Sequence, residues 1–545
     1  MSIFLKNQKY RSVVTFSIIA LLSFATYAPT FSIGFLNDDI ANIESALNNF
    51  HHGFASLFSK GSLYGQYFRP VVDLSFVIDY SIWGWAPFGF RLTNLLLHLL
   101  NVLFVFLLSK KLFESEPVAL ASALLFGVLP IHELSILWIP GRTDILCSVF
   151  CLSSVLTIIE YAQNKRKIWL FWSLILYVLA LLSKEMAFSL PLLVVLIASR
   201  NASSIGFSKS FRSGIKLALP FVFISLFAIL LRWISLDNNL LFGPQGLHGY
   251  ISIPGLIKNL VSYLGLLAIP IGHYEIASFL SGYPLLFFLL SSLVLVALTY
   301  LLWRFNNKIL PLVFCSLWIL ITLIPVSRLM MRWYLYIPSV GFCFALGWVV
   351  WYLTKADKVK FIGIVAIVWT LYASISFERT LDWAKTSTFA EGLLAQVREQ
   401  TQLTSPNDTL TFVTIPSRLK TTPLFHLGFE HTLRHSLRHD NVFVAFWPKI
   451  IMEEPGTVVA ASLIPNENKI LVSIDSLGYL FLDVEQFMTK RIAPEPGMKF
   501  KSGGISVELL EVTEDDKVLK FLFSTDWNLH RNLFFFDGQK FIRML

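Results

Sequence analysis

The chain has 545 residues, of which 55% are hydrophobic and 14% charged. Soluble domains carry roughly 25% charged residues, so this composition excludes a soluble enzyme on a single anchor and predicts a polytopic α-helical membrane protein. The formal charge of +9 does not require nucleic acid, because much of the Lys and Arg lies in short connections between apolar runs, where the positive-inside rule collects it.

A span needs about 20 apolar residues to cross the hydrocarbon. Runs at 13–33, 92–112, 117–133, 139–161, 168–183, 186–199, 215–235, 283–303, 309–326, 334–354 and 360–377 meet that need, about eleven transmembrane helices in all. The first run follows Lys6, Lys9 and Arg11 and lacks a small-x-small cleavage site, so it reads as an uncleaved span. The stretch 256–271 is shorter, ends in Pro270 and reads as re-entrant or interfacial. This arrangement keeps the N-terminus, Lys110-Lys111, Lys165-Arg166-Lys167, Arg200 to Lys216, Arg304 to Lys308 and Lys355 to Lys360 on the cytoplasmic side. Cys147, Cys151, Cys315 and Cys343 all fall in apolar runs, with no metal spacing among them.

After Phe377 the pattern changes. Residues 378–398 read as an amphipathic helix. β-rich runs follow at Leu410–Ile415, Val442–Trp447, Val458–Leu463, Ile470–Ile474 and Tyr479–Asp483. Hairpins are predicted between Val507–Val512 and Val518–Ser524 and across Asp537-Gly538. The reading is a transmembrane part, 1–377, and a C-terminal soluble α+β domain, 378–545, on the outer side.

The chemistry gathers in the outward connections. Asp38 and Asp39 stand together where the first span ends. Such a pair raises the pKa of one member and suits a general base, while either Asp equally suits an N-cap for a helix Ile40 to Leu47. The first outer loop also carries Arg69 and a helix from Pro70 to Trp83, with Pro at its first turn and a composition suited to an interface. Span ends contribute His132, Glu133, Arg142, Asp144, Lys184, Glu185, Arg232, Arg332 and Tyr336. Snorkelling accounts for many Arg and Lys in such places but not for Asp38-Asp39 or Lys184-Glu185. In the tail, His431, His435 and His439 share a helical face, as zinc ligands do; with no acid or Cys to complete a set, they read as a basic surface helix.

Phe68-Arg69-Pro70, Pro87-Phe88-Gly89-Phe90 with Asn94 and His98, Pro130-Ile131-His132, Gly141-Arg142-Thr143-Asp144, Leu182-Ser183-Lys184-Glu185 and Arg332-Trp333-Tyr334-Leu335-Tyr336-Ile337-Pro338-Ser339 occur in this order. That series resembles the TMTC-type protein O-mannosyltransferases and their bacterial relatives, and more broadly the GT-C class of polyprenyl-phosphate-sugar-dependent glycosyltransferases, over about residues 13–385. Where the family reads His-Pro-Ile-His-Thr-Glu, this chain has Leu129 and Leu134 at the first His and the Glu, with Glu133 displaced by one; the family's tetratricopeptide tail is absent.

The resemblance implies a GT-C-like fold and an inverting transfer of sugar from a polyprenyl-phosphate-linked donor on the extracytoplasmic face. An Asp of the first outer loop would be the base, Asp39 in preference to Asp38. Arg142, Lys184, Arg232 and Arg332 are then candidates for the leaving phosphate, since pre-placed cations stabilise charge that develops there. Arg69, His132, Asp144, Glu185 and Tyr336 complete the candidate site, and Tyr64 and Trp138 are candidates to face the sugar. The implied partners are the lipid donor, a protein, lipid or glycan acceptor, and a membrane, most naturally the bacterial inner membrane; nucleic acid is not among them. No cofactor or metal is assigned, and a divalent metal requirement stays open. The alternative from another class is a transporter or lipid flippase, which charges at membrane depth also mark.

The topology is open to a direct check. Cysteine-accessibility labelling is expected to find the tail outside and positions 165 and 355 inside; labelling of the tail from the cytoplasm would make 256–271 a full span.

Overall fold

The computed structural model describes residues 2–545 apart from 60, 63–66, 200–206, 237–252, 269–309, 329, 356, 402–409, 413–414, 421, 426–427, 438–441, 445–448, 453–457, 465–468, 475–477, 482–494, 503–504, 514–517, 526–532, 538 and 545. The expected span 283–303, Tyr64 and His439 lie outside the described residues. The chain forms two compact units. One comprises Met1–Phe31, Ala46–Leu240 and Ile251–Leu381; the other comprises Ser32–Ser45, Leu241–Tyr250 and Asp382–Leu545.

The first unit is helical. Its principal helices are α1 (Ser2–Tyr27), α2 (Asp39–His51, begun in the other unit), α3 (Pro70–Trp83), α4 (Pro87–Phe113), α5 (Glu116–Val128), α6 (Glu133–Leu137), α7 (Arg142–Asn164), α8 (Lys167–Leu181), α9 (Leu190–Ser199), α10 (Phe207–Ser235), α11 (Ile253–Ala268), α12 (Leu310–Leu323), α13 (Pro338–Leu353) and α14 (Lys358–Thr401). Among the described residues four helices are long and apolar enough to cross a membrane: Pro87–Phe113, Ile139–Asn164, Ser208–Ser235 and Lys358–Thr401. The chain is an integral membrane protein. Phe223, Leu226, Phe227 and Ile234 on α10 are each more than half exposed, as lipid-facing side chains are.

Two predicted spans take a different form. The run 117–133 is broken: α5 stops at Val128, and Pro130–Leu137 continues at 44° to it. Pro130 is the physical cause, since proline has no N–H and sits best in the first turn of a new helical segment. Conversely, the last span and the amphipathic segment after it are one helix of 44 residues, α14.

Helix α3 has the bounds expected from the sequence, with Pro70 in its first turn. Its polarity is inverted relative to a water-facing interfacial helix. Asp73 and Asp79 are each 4% exposed, whereas Ile78 and Ile82 are 50% and 63% exposed.

The second unit carries the strands. In one sheet, β1 (Leu410–Phe412) lies between β2 (Val442–Val444) and β5 (Leu533–Phe536), parallel to both, and β6 (Phe541–Met544) closes an antiparallel hairpin on β5. Phe412, Phe534 and Phe541 pack together in its core, with ring centroids 4.9 and 5.2 Å from Phe412. A larger sheet contains the other expected hairpin, β3 (Ile505–Val512) with β4 (Val518–Thr525). Helix α15 (Phe429–Leu437) packs its Phe429 on Phe412, 5.1 Å away.

Asp73 generates a prediction. Its carboxyl accepts a hydrogen bond from Ser62 Oγ at 2.7 Å, yet burial outweighs that bond and pushes the pKa up to about 6. The native state therefore holds a proton that the unfolded chain releases near pH 4, so this group's contribution to stability falls as pH rises from about 4 to 6. Asp73→Asn cannot lose that proton. The stability of the variant relative to wild type is expected to rise by about 3 kcal/mol between pH 4 and pH 7, read by thermal unfolding in detergent. A difference that does not change with pH contradicts this.

Candidate active site

Four elements bring charged side chains to one place in the helical unit. Arg69 immediately precedes α3, Asp144 lies in the first turn of α7, Lys184 and Glu185 follow α8, and Arg232 lies in the last turn of α10. Asp144 and Arg232 sit at electrostatically apt ends, because a helix N-terminus favours an acid and a C-terminus a cation. Lys184 is extended (φ −161°, ψ 149°), so successive side chains diverge and the adjacent pair serves two different partners.

Lys184 Nζ donates to Asp144 Oδ1 at 2.6 Å and sits 4.7 Å over the Tyr334 ring. Glu185 Oε1 accepts from Arg69 at 2.9 Å, and its Oε2 lies 3.7 Å from Arg232. The Arg69 guanidinium stacks 4.3 Å from the Tyr67 ring, and its Nε is buried without a hydrogen-bond partner among the described residues. Asp144, Lys184, Glu185 and Arg232 are each less than 6% exposed. Burial alone would raise the Glu185 pKa; Arg69, Arg232 and Lys184 together hold it at about 2. Burial pushes Lys184 down, against the opposing pull of Asp144. Among the described residues, Arg69, Lys184 and Arg232 thus gather around Asp144 and Glu185 in a desolvated setting, and such a cluster of cations suits an anion.

The other expected donor-phosphate ligands are elsewhere. Arg142 is wholly buried and spent: Nε donates to Asn94 Oδ1 at 2.7 Å, one terminal nitrogen to the Ser75 carbonyl at 3.2 Å, and the other to the Phe90 carbonyl at 2.8 Å and Asp79 at 2.5 Å. It clamps α3, α4 and α7 through these partners. Arg332 is ion-paired with Glu133, which also receives Arg379 at 3.3 Å. His132 and Tyr336 join a buried polar chain, His132 Nε2 to Ser339 Oγ at 2.8 Å and the Tyr336 hydroxyl to His98 Nδ1 at 2.7 Å. Trp138 packs on Trp333 at 5.5 Å.

Asp38 and Asp39 lie in the second unit. Asp39 is fully buried, and its Oδ2 accepts the Leu36 N–H at 3.0 Å, the reach-back bond of a helix start. Asp38 Oδ1 accepts from Asn37 Nδ2 at 3.0 Å, and Asn37 itself is left-handed (φ 54°). Asp39 is thus engaged at the start of α2, whereas Asp38 holds the side chain of its neighbour. In the same unit His431 Nδ1 pairs with Glu44 at 2.7 Å and the His435 ring meets Phe35 edge-on, so these two histidines have protein partners rather than a shared metal face.

Sequence reading missed Tyr67, Asp79, Tyr334 and Arg379 as partners. The signal was indirect: each buried cation needs an acid or an aromatic face within reach.

Residues 70–233 match the protein family described as dolichyl-phosphate-mannose-protein mannosyltransferase. The chain is 32% identical over 184 residues to Protein O-mannosyl-transferase Tmtc1 of Drosophila melanogaster, covering 32% of this chain and 21% of that protein. It is 28% identical over 202 residues to Protein O-mannosyl-transferase TMTC4 of Homo sapiens, covering 31% of this chain and 27% of that one. The chain thus spans about a fifth to a quarter of these relatives' length. Among solved structures, ArnT from Cupriavidus metallidurans bound to undecaprenyl phosphate gives a TM-score of 0.43 at 14% identity, over 81% of this chain and 93% of that one. An Archaeoglobus fulgidus oligosaccharyltransferase tethered to an acceptor peptide gives 0.44 at 14%, over 79% and 63%. The resemblance carried by the motif series thus holds: the chain is similar to TMTC-type O-mannosyltransferases, and the region matched by the mannosyltransferase family includes Asp144, Lys184, Glu185 and Arg232.

The pairing of Arg142 with Asp79 has a measurable consequence. Arg142→Gln leaves the Asp79 carboxylate buried without its cation, at a cost of about 3–5 kcal/mol. The expected result is a lower thermal midpoint with an unchanged donor KM in the folded fraction. A normal midpoint with a raised KM would return Arg142 to the donor site.

Proposed function

We propose that the protein is an inverting membrane glycosyltransferase of the GT-C type. It moves a sugar, mannose foremost, from a polyprenyl phosphate to a hydroxyl or amine acceptor on the extracytoplasmic face. The observation that carries this reading is the buried cluster of Arg69, Lys184 and Arg232 around Asp144 and Glu185. The likeness of residues 70–233 to mannosyltransferases supports it.

The chemistry balances as follows. The acceptor heteroatom attacks the anomeric carbon, the carbon–oxygen bond to phosphate breaks, and its electron pair leaves with the polyprenyl phosphate. The acceptor proton passes to the Asp38 carboxylate. The phosphate goes from one negative charge to two, and Arg69, Lys184 and Arg232 stabilise the second as it forms. Arg69 adds bidentate geometry and a buried donor not engaged by protein among the described residues. Asp144 and Glu185 hold the cations at fixed positions before the phosphate arrives, so little reorganisation accompanies the charge change.

The test is incubation of the purified protein with radiolabelled polyprenyl-phosphate sugars, mannose first, and Ser/Thr peptides. Release of polyprenyl phosphate with inversion at the transferred sugar is expected; a protein that consumes none of these donors contradicts the proposal. Arg69→Gln, Lys184→Met and Arg232→Gln are each expected to lower kcat/KM by about tenfold to a hundredfold, the scale of one charge-assisted contact. Asp38→Asn is expected to lower kcat by at least about a hundredfold, the scale of a positioned base.

A further inference from the structure

The loop that carries Asp38 is held from several sides by the C-terminal part of its own unit. The Gly34 N–H donates to Ser387 Oγ at 2.7 Å, and the Asn37 N–H donates to the Leu424 carbonyl at 2.8 Å. Farther along, Glu44 pairs with His431. The closest approach is at Gly428, whose backbone is left-handed (φ +76°); a Cβ there would stand 2.9 Å from the Asn37 carbonyl oxygen and 2.9 Å from Asp38 Cα. No side chain fits at position 428 without moving Asp38. These contacts link residues about 350 to 390 positions apart in sequence, so they are not products of local chain geometry.

We propose that the segment Asp382–Leu437 is a positioning element for Asp38, with Gly428 and Ser387 as positioning residues, so that the tail is needed for the transfer step and not for donor binding. The inference rests on the reading of Asp38 as the base. Its physical logic is that a base displaced by about 1 Å loses much of its effect while a separate phosphate contact keeps its own. The tail then has a catalytic role whatever the acceptor is.

Gly428→Ala in the full-length protein is the direct test, with polyprenyl-phosphate mannose and Ser/Thr peptides as probes. The expected pattern is a kcat lowered at least about tenfold, a donor KM within about twofold of wild type, and faster amide exchange over residues 34–45. Gly497→Ala is the control: that glycine is also left-handed (φ +89°) but has nothing within 4 Å of an added Cβ. It is expected to carry the backbone strain and keep both kcat and the exchange of 34–45. If Gly428→Ala does not fold, Ser387→Ala removes the bond to Gly34 without adding an atom and is expected to give the same pattern at about threefold. Unchanged exchange over 34–45 overturns the inference, and so does faster exchange with normal kcat. Full activity in Asp38→Asn is a separate result, which removes the base assignment itself.

Discussion

A carboxylate held between two guanidinium groups organises the helical unit. Removing a carboxylate or an ammonium from water costs several kcal/mol even after relaxation, so each buried charge must be answered by another. Glu185 is answered by Arg69 and Arg232, and its neighbour Lys184 by Asp144. The four elements that supply these side chains cannot shift independently without stranding a charge. The proposed phosphate leaving group adds a further negative charge among these pre-placed cations.

The same rule explains features remote from this cluster. Glu133 sits just after the break at Pro130, where the chain turns by 44°, and there it meets Arg332 and Arg379. Arg142 spends its guanidinium on Asp79, Asn94 and two carbonyls, fastening α3 against α4 and α7. Asp79 consequently turns inward while Ile78 and Ile82 turn out. Buried polar side chains at the helix ends thus act as ties between helices, as expected where apolar burial gives helices little reason to associate.

Much of this was legible in the sequence, and the division follows the range of the interactions. The helix Pro70–Trp83 and both tail hairpins are local patterns of proline, turn residues and alternation, and the structure has them. The ordered motif series supplied Arg69, Asp144, Lys184 and Glu185 one by one, and the end of an apolar run supplied Arg232. What no local pattern carried was who pairs with whom: Arg69 meets Glu185 across 116 positions and Arg332 meets Glu133 across 199. For that reason Arg142, which looks like any other cation at a span end, was read as a phosphate ligand. Arg379 escaped notice because it lies in a stretch read as leaving the membrane. Asp39 is the base the sequence favours over Asp38, and its bond to Leu36 is not visible there. The two histidines of α15 found Glu44 and Phe35, partners in a loop far upstream.

The central claim is that Arg69, Lys184 and Arg232 form the seat of the donor phosphate. An experimental structure of the full-length protein with polyprenyl phosphate bound tests it most directly. The account predicts phosphate oxygens within about 3 Å of all three cations, at hydrogen-bonding distance, with Glu185 and Asp144 still flanking them. A phosphate seated elsewhere, with these three cations still paired only to their carboxylates, would contradict it.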